Sequence, residues 1–486
     1  MKHRITTAAL LTAMLAAVGC GESGTTADTT ASGETGTTTA AETTDPLMDD
    51  LGEFDFGGYE YRVLSVKYDP AASFTLFDTA EQNGDILNDA LWKRNREIEE
   101  RFNIVFVSEE NDYWANTSML RKTVTAGEHA YDMIQTINRE AFSAAVEGLL
   151  MPTSELTYLN PEKSYYAHDI NKQLTIAGKT FFYYSDECIH AFERACCLVY
   201  NKQIAEDFQL GDYYNLVREG KWTIDHLYSD SRKVASDMNG DGIWDENDRY
   251  GILGSADYLF ASIYNGAGEF TIRLDDKGMP YFAAQSSEKL AGILDGILNE
   301  RSSGNHIRIN GYADYQVTMD EFSENKGLFA ATVLGRVSNL RDMETDYGLL
   351  PFPKYDESQK QYYSRIIDGW LHVVPLTNPD PKRTSVIMEA LASGTARHII
   401  PAYYDKVLSQ KGLRDEDSVE MMDLIRSTRV IDLGELPWYE TVRKQYSEKL
   451  LTDRTAQFAS LNATIAPQIE KLIDDALKAL EELEEL

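Results

Sequence analysis

What most restricts the fold of this chain is the alternation that opens its body. Residues 59–66 (Tyr-Glu-Tyr-Arg-Val-Leu-Ser-Val) alternate and are rich in β-branched and aromatic side chains, which reads as a strand. An aromatic loop follows, with Tyr68, Phe74 and Phe77. Residues 85–102 then place Leu87, Leu91, Ile98 and Phe102 on one face of a helix, with Glu and Arg on the other. Residues 103–107 read as the next strand, and 130–135 as another after an intervening helix. Strand, helix, strand, helix at this spacing predicts an α/β fold, a parallel sheet with helices on both faces. About 430 residues follow the N-terminal 52, more than one ordinary core holds, so two lobes are expected.

The N-terminus fixes the expected compartment. Lys2, His3 and Arg4 precede an apolar run, residues 5–18, that ends in Ala17-Val-Gly-Cys20. A short basic start, an apolar stretch too short to span as a mature helix, and small residues before a cut describe a secretory signal over residues 1–19. Small residues before a cysteine also look like a bacterial lipobox, with Cys20 lipidated as the new N-terminus, although Ala17 stands where Leu is commoner. Residues 20–52 continue as a Thr-, Gly- and Glu-rich stretch with little to bury, expected to be a disordered tether. The chain would then be extracytoplasmic and anchored to the cell membrane by lipid. Its formal charge of −33 becomes about −35 once Lys2 and Arg4 leave with the signal, which argues against nucleic acid or anionic lipid as partners. Cys188, Cys196 and Cys197 make neither a disulfide framework nor a zinc pattern and read as buried small residues.

The most specific motif is residues 237–248, Asp-Met-Asn-Gly-Asp-Gly-Ile-Trp-Asp-Glu-Asn-Asp. It sets Asp237, Asn239, Asp241, Asp245 and Asp248 at loop positions 1, 3, 5, 9 and 12, with Gly242 at the turn and the Ile243 carbonyl at position 7. That is the register of an EF-hand-type loop, and it predicts a structural Ca2+, since a chain wrapping one hard cation needs converging oxygens and a glycine where it turns. Asp248 stands where Glu is usual, so bidentate reach is shorter. An Asx-rich turn that binds nothing is the alternative.

Further along, residues 177–184 read as a Gly turn into an aromatic strand, before Asp186, Glu187 and Val199-Tyr-Asn-Lys202. Gly220-Lys-Trp-Thr223 leads a helix in which Trp222 reads as a core anchor. Gly348-Leu-Leu-Pro-Phe-Pro-Lys-Tyr355 precedes Gly369-Trp370, and from Pro381 the pattern is helical almost to the end. In this order, with the lipobox and the calcium loop ahead of Tyr250-Gly251, these motifs resemble the extracellular solute-binding proteins of family 1, the carbohydrate-type receptors of bacterial ABC importers. The resemblance implies a two-lobed, periplasmic-binding-protein-like fold of class II type with the ligand cleft between the lobes. It further implies lobe 1 from residues 53–183 plus 326–395 and lobe 2 from 184–325 plus 396–486, with crossings near 181–187, 327–336 and 375–395.

Ligands of open α/β sheets sit beyond the carboxyl ends of strands, and sugars are met by carboxylates or amides on paired hydroxyls and by aromatics on the ring face. On position, the candidate ligand residues are Tyr68, Asp186, Glu187, Tyr258, Tyr264, Arg336, Asp368 and Trp370. A strand Trp also serves as core, and Arg336 also suits a structural ion pair. The expected function is a membrane-tethered, monomeric receptor that delivers a saccharide to the permease of an ABC importer, with no catalysis. Two alternatives stand beside it: a secreted glycan hydrolase built on a carboxylate pair, and a calcium-dependent binding or adhesion module. The sequence shows no nucleophile elbow, no His-Glu-x-x-His and no phosphate loop, and only one copy of the calcium motif.

Overall fold

A computed structural model describes residues 45–67, 77–311, 314–409, 412–449 and 458–483. The signal, Cys20, most of the tether and Tyr68 lie outside the described residues. Among them, no helix is long and apolar enough to cross a membrane.

In chain order the strands are β1 Tyr59–Val66, β2 Ile104–Asn111, β3 Met133–Ile137, β4 Cys196–Asn201, β5 Tyr250–Gly254, β6 Ile272–Leu274, β7 Pro280–Phe282, β8 Ile307–Ile309, β9 Gly327–Val333, β10 Tyr347–Leu350, β11 Ser364–Arg365, β12 Trp370–Val373 and β13 Arg429–Val430. They form two main sheets. The first has the order β12-β3-β1-β2, the second β10-β4-β9-β5-β8. β1, β2 and β3 are parallel, and β12 closes that sheet antiparallel to β3. In the second sheet β9, β5 and β8 are parallel, and β4 runs antiparallel to both its neighbours, β9 and β10.

The first sheet forms as its sequence predicts. Helix Ile86–Phe102 buries Leu87, Leu91, Ile98 and Phe102, and the Asp85 side chain caps it by accepting from Leu87 N and Asn88 N. Strand 103–107 extends to Asn111, whereas the strand expected at 130–135 starts later, at Met133. The reason is Asp132, which leaves the sheet register to accept from Arg62 N at 2.9 Å and from the Tyr59 hydroxyl at 3.1 Å. In the second half, Trp222 is fully buried before helix Ile224–Val234, and its indole N–H donates to Pro351 O at 3.0 Å. The three cysteines are buried and free.

Four expectations differ from the fold. Residues 45–52 are no loose tether: Arg101 clasps the Asp49 carboxylate with two 2.8 Å bonds, and Lys163 Nζ donates to Met48 O. Residues 177–184 form no strand. Their groups bond irregular neighbours instead, Thr180 O taking Thr153 N and Tyr184 N donating to the Asn171 side chain. Residues 327–350, expected in lobe 1, supply β9 and β10 to the second sheet. Residues 396–409, expected in lobe 2, pack on helix Ile86–Phe102 beside the first sheet, where Arg397 donates to Glu97 at 2.6 Å.

Candidate functional site

Parallel strands direct their carboxyl ends, and the helices that follow, to one edge of each sheet. β3 ends at Ile137 and is followed by Arg139, β5 by Asp257 and Tyr258, and β9 by Arg336. The antiparallel strands start at those same edges. Trp370 of β12 pairs with Ile137, and Cys196 of β4 pairs with Val333, so Asp368 and Arg194 arrive beside the strand ends. The two edges meet in one cluster of charged and aromatic side chains.

Asp368 is its centre on the first-sheet side. Arg139 Nη1 donates to Asp368 Oδ1 at 2.5 Å, Arg443 Nη1 to the same oxygen at 3.2 Å, and Arg194 Nη2 lies 3.9 Å from Oδ2. Burial by itself would raise the carboxyl's pKa, but Arg443, Arg139 and Arg194 outweigh it and hold Asp368 far below the usual range, ionised at any physiological pH. Its backbone has φ +53° and Gly369 has φ +153°, and a side chain at Gly369 would press on Ala191, so this Asp-Gly pair makes the sharp entry to β12.

The second-sheet side is built on Asp257. Arg443 Nε donates to Asp257 Oδ1 at 3.0 Å and the Tyr315 hydroxyl to Oδ2 at 2.7 Å. Tyr315 stacks on Tyr258 with centroids 4.1 Å apart, and the Tyr258 hydroxyl accepts from Arg194 at 3.1 Å. Burial pushes the Tyr258 and Tyr315 hydroxyls up, so both stay protonated donors. Arg336 lies 4.9 Å over the Tyr315 ring, and its Nε is buried with no hydrogen-bond partner. At the rim Arg139 sits between two rings, 4.9 Å from Trp114 and 4.7 Å from Tyr439, and Trp114 is exposed.

Trp370 faces His190 rather than open space. The rings stack at 3.8 Å, Trp370 N donates to His190 Nδ1 at 3.2 Å, and Val66 and Ile137 pack alongside. Burial, helped by Arg194, pushes the His190 pKa well down, so the ring is neutral and able to accept. Val66 is the last residue of β1, so the carboxyl end of that strand reaches this cluster.

Of the candidate ligand residues, Tyr258, Arg336, Asp368 and Trp370 come together. Asp186, Glu187 and Tyr264 do not. Asp186 accepts from Arg426 at 2.7 Å and lines a separate polar recess of about 410 Å³. Glu187 is buried against His372 Nδ1 at 2.6 Å. Tyr264 follows Tyr258 by six residues on helix Ala256–Gly266, about 240° round the axis, and points into the core. The cluster adds Arg139, Arg194, Asp257, Tyr315 and Arg443. Asp257 and Arg139 were within reach of strand-end reasoning, but nothing local marks Arg443.

In loop 237–248, Gly240 and Gly242 take φ +72° and +78°, as the turn requires. Asp237 accepts from Gly240 N and Gly242 N, and buried Asp248 accepts from Met238 N and Asp245 N. Asn239 and Asp241 bond each other, and the Tyr250 hydroxyl holds Asp245 O at 2.8 Å. The donor set suits a hard cation in type. Among the described residues, however, no three His, Cys, Asp or Glu side chains are already gathered in a metal-holding group.

The sequence matches no protein-family model, and it matches no curated protein. The fold does match solved structures. One is an ABC substrate-binding protein from Listeria monocytogenes in complex with cycloalternan (TM-score 0.55, 12% identity, covering 86% of this chain and 99% of that one). A second is an extracellular solute-binding protein from Staphylococcus aureus in complex with maltose (0.56, 10%, 87% and 97%). A third is UgpB from Mycobacterium tuberculosis in complex with glycerophosphocholine (0.56, 14%, 87% and 99%). At these identities the likeness is one of fold, the two-lobed α/β fold of solute-binding proteins, and it spans nearly the whole of each relative.

Proposed function

We propose that this chain is an extracytoplasmic receptor that captures a saccharide between its two sheets and passes it to an ABC-type importer. The observation that carries this is the convergence of strand ends from both sheets on one cluster, with aromatic faces at Tyr258, Tyr315 and Trp114 and charged donors at Arg139, Arg194 and Arg336. A ligand that touches both sides favours the closed arrangement by the difference between its affinities for closed and open states. Two of the solved structures above are named as binding proteins, in complex with cycloalternan and with maltose, and the third is UgpB in complex with glycerophosphocholine. Cys20 would carry the lipid, the segment after it would tether the body, and the permease would read the closed form. Loop 237–248 would hold Ca2+ as a clip on the second-sheet side, away from the solute.

The hydrolase alternative needs one carboxyl kept protonated to act as an acid. Asp368 is held in the opposite state by three arginines. The test is a glycan and peptide panel read by thermal shift, with product analysis of every binder. A ligand at a hundred times its Kd should add about 2.7 kcal/mol to stability and emerge uncleaved. Turnover of a bound glycan would reassign the chain to the hydrolases.

A further inference from the structure

We infer that the solute held at this cluster is anionic, an acidic saccharide whose carboxylate or phosphate is met by Arg336 and Arg194; this rests on the receptor reading above. The chain as a whole is strongly acidic, with 79 Asp and Glu against 46 Lys and Arg. At the cluster the balance reverses. Arg139, Arg194, Arg336 and Arg443 face Asp257 and Asp368, and the neighbouring Arg365 is already matched by Glu435 at 2.8 Å. Buried Glu193, beside Gly335, is a third acid nearby, and four arginines still outnumber it and the two aspartates.

The surplus is localised. Both aspartates are taken up: Asp368 by Arg139 and Arg443, Asp257 by Arg443 and Tyr315. Arg336 makes no hydrogen bond or ion pair with any described residue, its Nε is buried, and its guanidinium lies over the Tyr315 face. A guanidinium desolvated on one side and seated on an aromatic ring is expensive to leave unmatched, and carboxylate or phosphate oxygens match its fork. A neutral sugar would fill the space and leave that charge uncompensated. The Tyr258 hydroxyl, which accepts from Arg194, would keep its own proton to donate beside it.

The experiment compares anionic probes with their neutral counterparts, using the mature chain. Trigalacturonate is set against its methyl ester, and glucose 6-phosphate against glucose, with maltotriose as a neutral oligomer. The expected result is that an anionic probe binds at least tenfold tighter than its neutral partner and weakens as NaCl rises. Which pair shows the difference tells carboxylate from phosphate. Arg336→Gln should lose at least tenfold for that probe, and Arg336→Lys should recover part of it. A neutral probe that binds as tightly as its charged partner, or an anionic affinity unmoved by Arg336→Gln, overturns the inference and leaves the receptor reading standing. No binding by any of the five saccharides removes the receptor reading, and the inference with it.

Discussion

His190 shows how one residue ties the site to solution conditions. Its Nδ1 accepts the Trp370 N–H and its ring is stacked on the indole, so a proton there would break a hydrogen bond and bury a charge beside Arg194. The folded-state pKa is depressed, and the unfolded chain takes up a proton below about 6.5 that the folded chain refuses. Stability is therefore full above that pH and falls as the pH drops, by up to about 1.4 kcal/mol per unit for one histidine. His306 and His398 are depressed as well, mainly by burial, and pull in the same direction. Urea midpoints measured from pH 7.5 to 5 should show the decline, and His190→Gln should flatten part of it. An unchanged slope would mean that His190 is not the group responsible. At this scale the sequence was informative where a backbone rule applied. Asp368-Gly369 announced a turn into a strand, and Trp370 followed it. Arg443 had no such signal, because its partners Asp257 and Asp368 lie 186 and 75 residues away.

Among the elements, loop 237–248 and the segment 177–184 make opposite cases. The loop's glycines, its Asx turns and its place between helix Ile224–Val234 and β5 were all written locally. Ser236 and Arg249 close its ends by pairing with each other, so a cation bound inside would stiffen a loop that the fold already holds shut. Chelation with EGTA is expected to lower the melting temperature while changing solute affinity only modestly, and Asp241→Ala is expected to reproduce that shift without chelator. Loss of solute binding with no loss of stability would place the ion at the solute instead. Residues 177–184 carry the side chains of a strand and are not one. Alternation records which faces are buried, and here the burial comes from irregular packing, with Thr180 and Tyr184 bonded to loops and to a side chain.

For the whole molecule, the C-terminal helix Phe458–Glu482 joins what the two sheets separate. Asn462 donates to Ala284 O at 2.9 Å near the second sheet, while at the far end Lys179 bonds Leu480 O and Leu483 lies against Gly148 beside the first. Ile465, Ile469, Ile473 and Leu480 are buried along it. Removing residues 469–486 deletes the buried Ile469, Ile473 and Leu480, a loss of roughly 1.5–3 kcal/mol each, and should lower the denaturant midpoint by an amount too large for a loose tail. A midpoint equal to that of the full chain would show that the helix does not hold the body together. By itself the sequence determined the α/β class, the helix faces, the loop chemistry and the expectation of two lobes, because periodicity, caps and turns act within a few residues. Tertiary structure alone decided that β9 and β10 join the second sheet, that residues 45–52 are fastened to the body, and which arginines meet at Asp257 and Asp368. Those outcomes depend on pairing between segments tens to hundreds of residues apart, and local pattern carries no record of such partners.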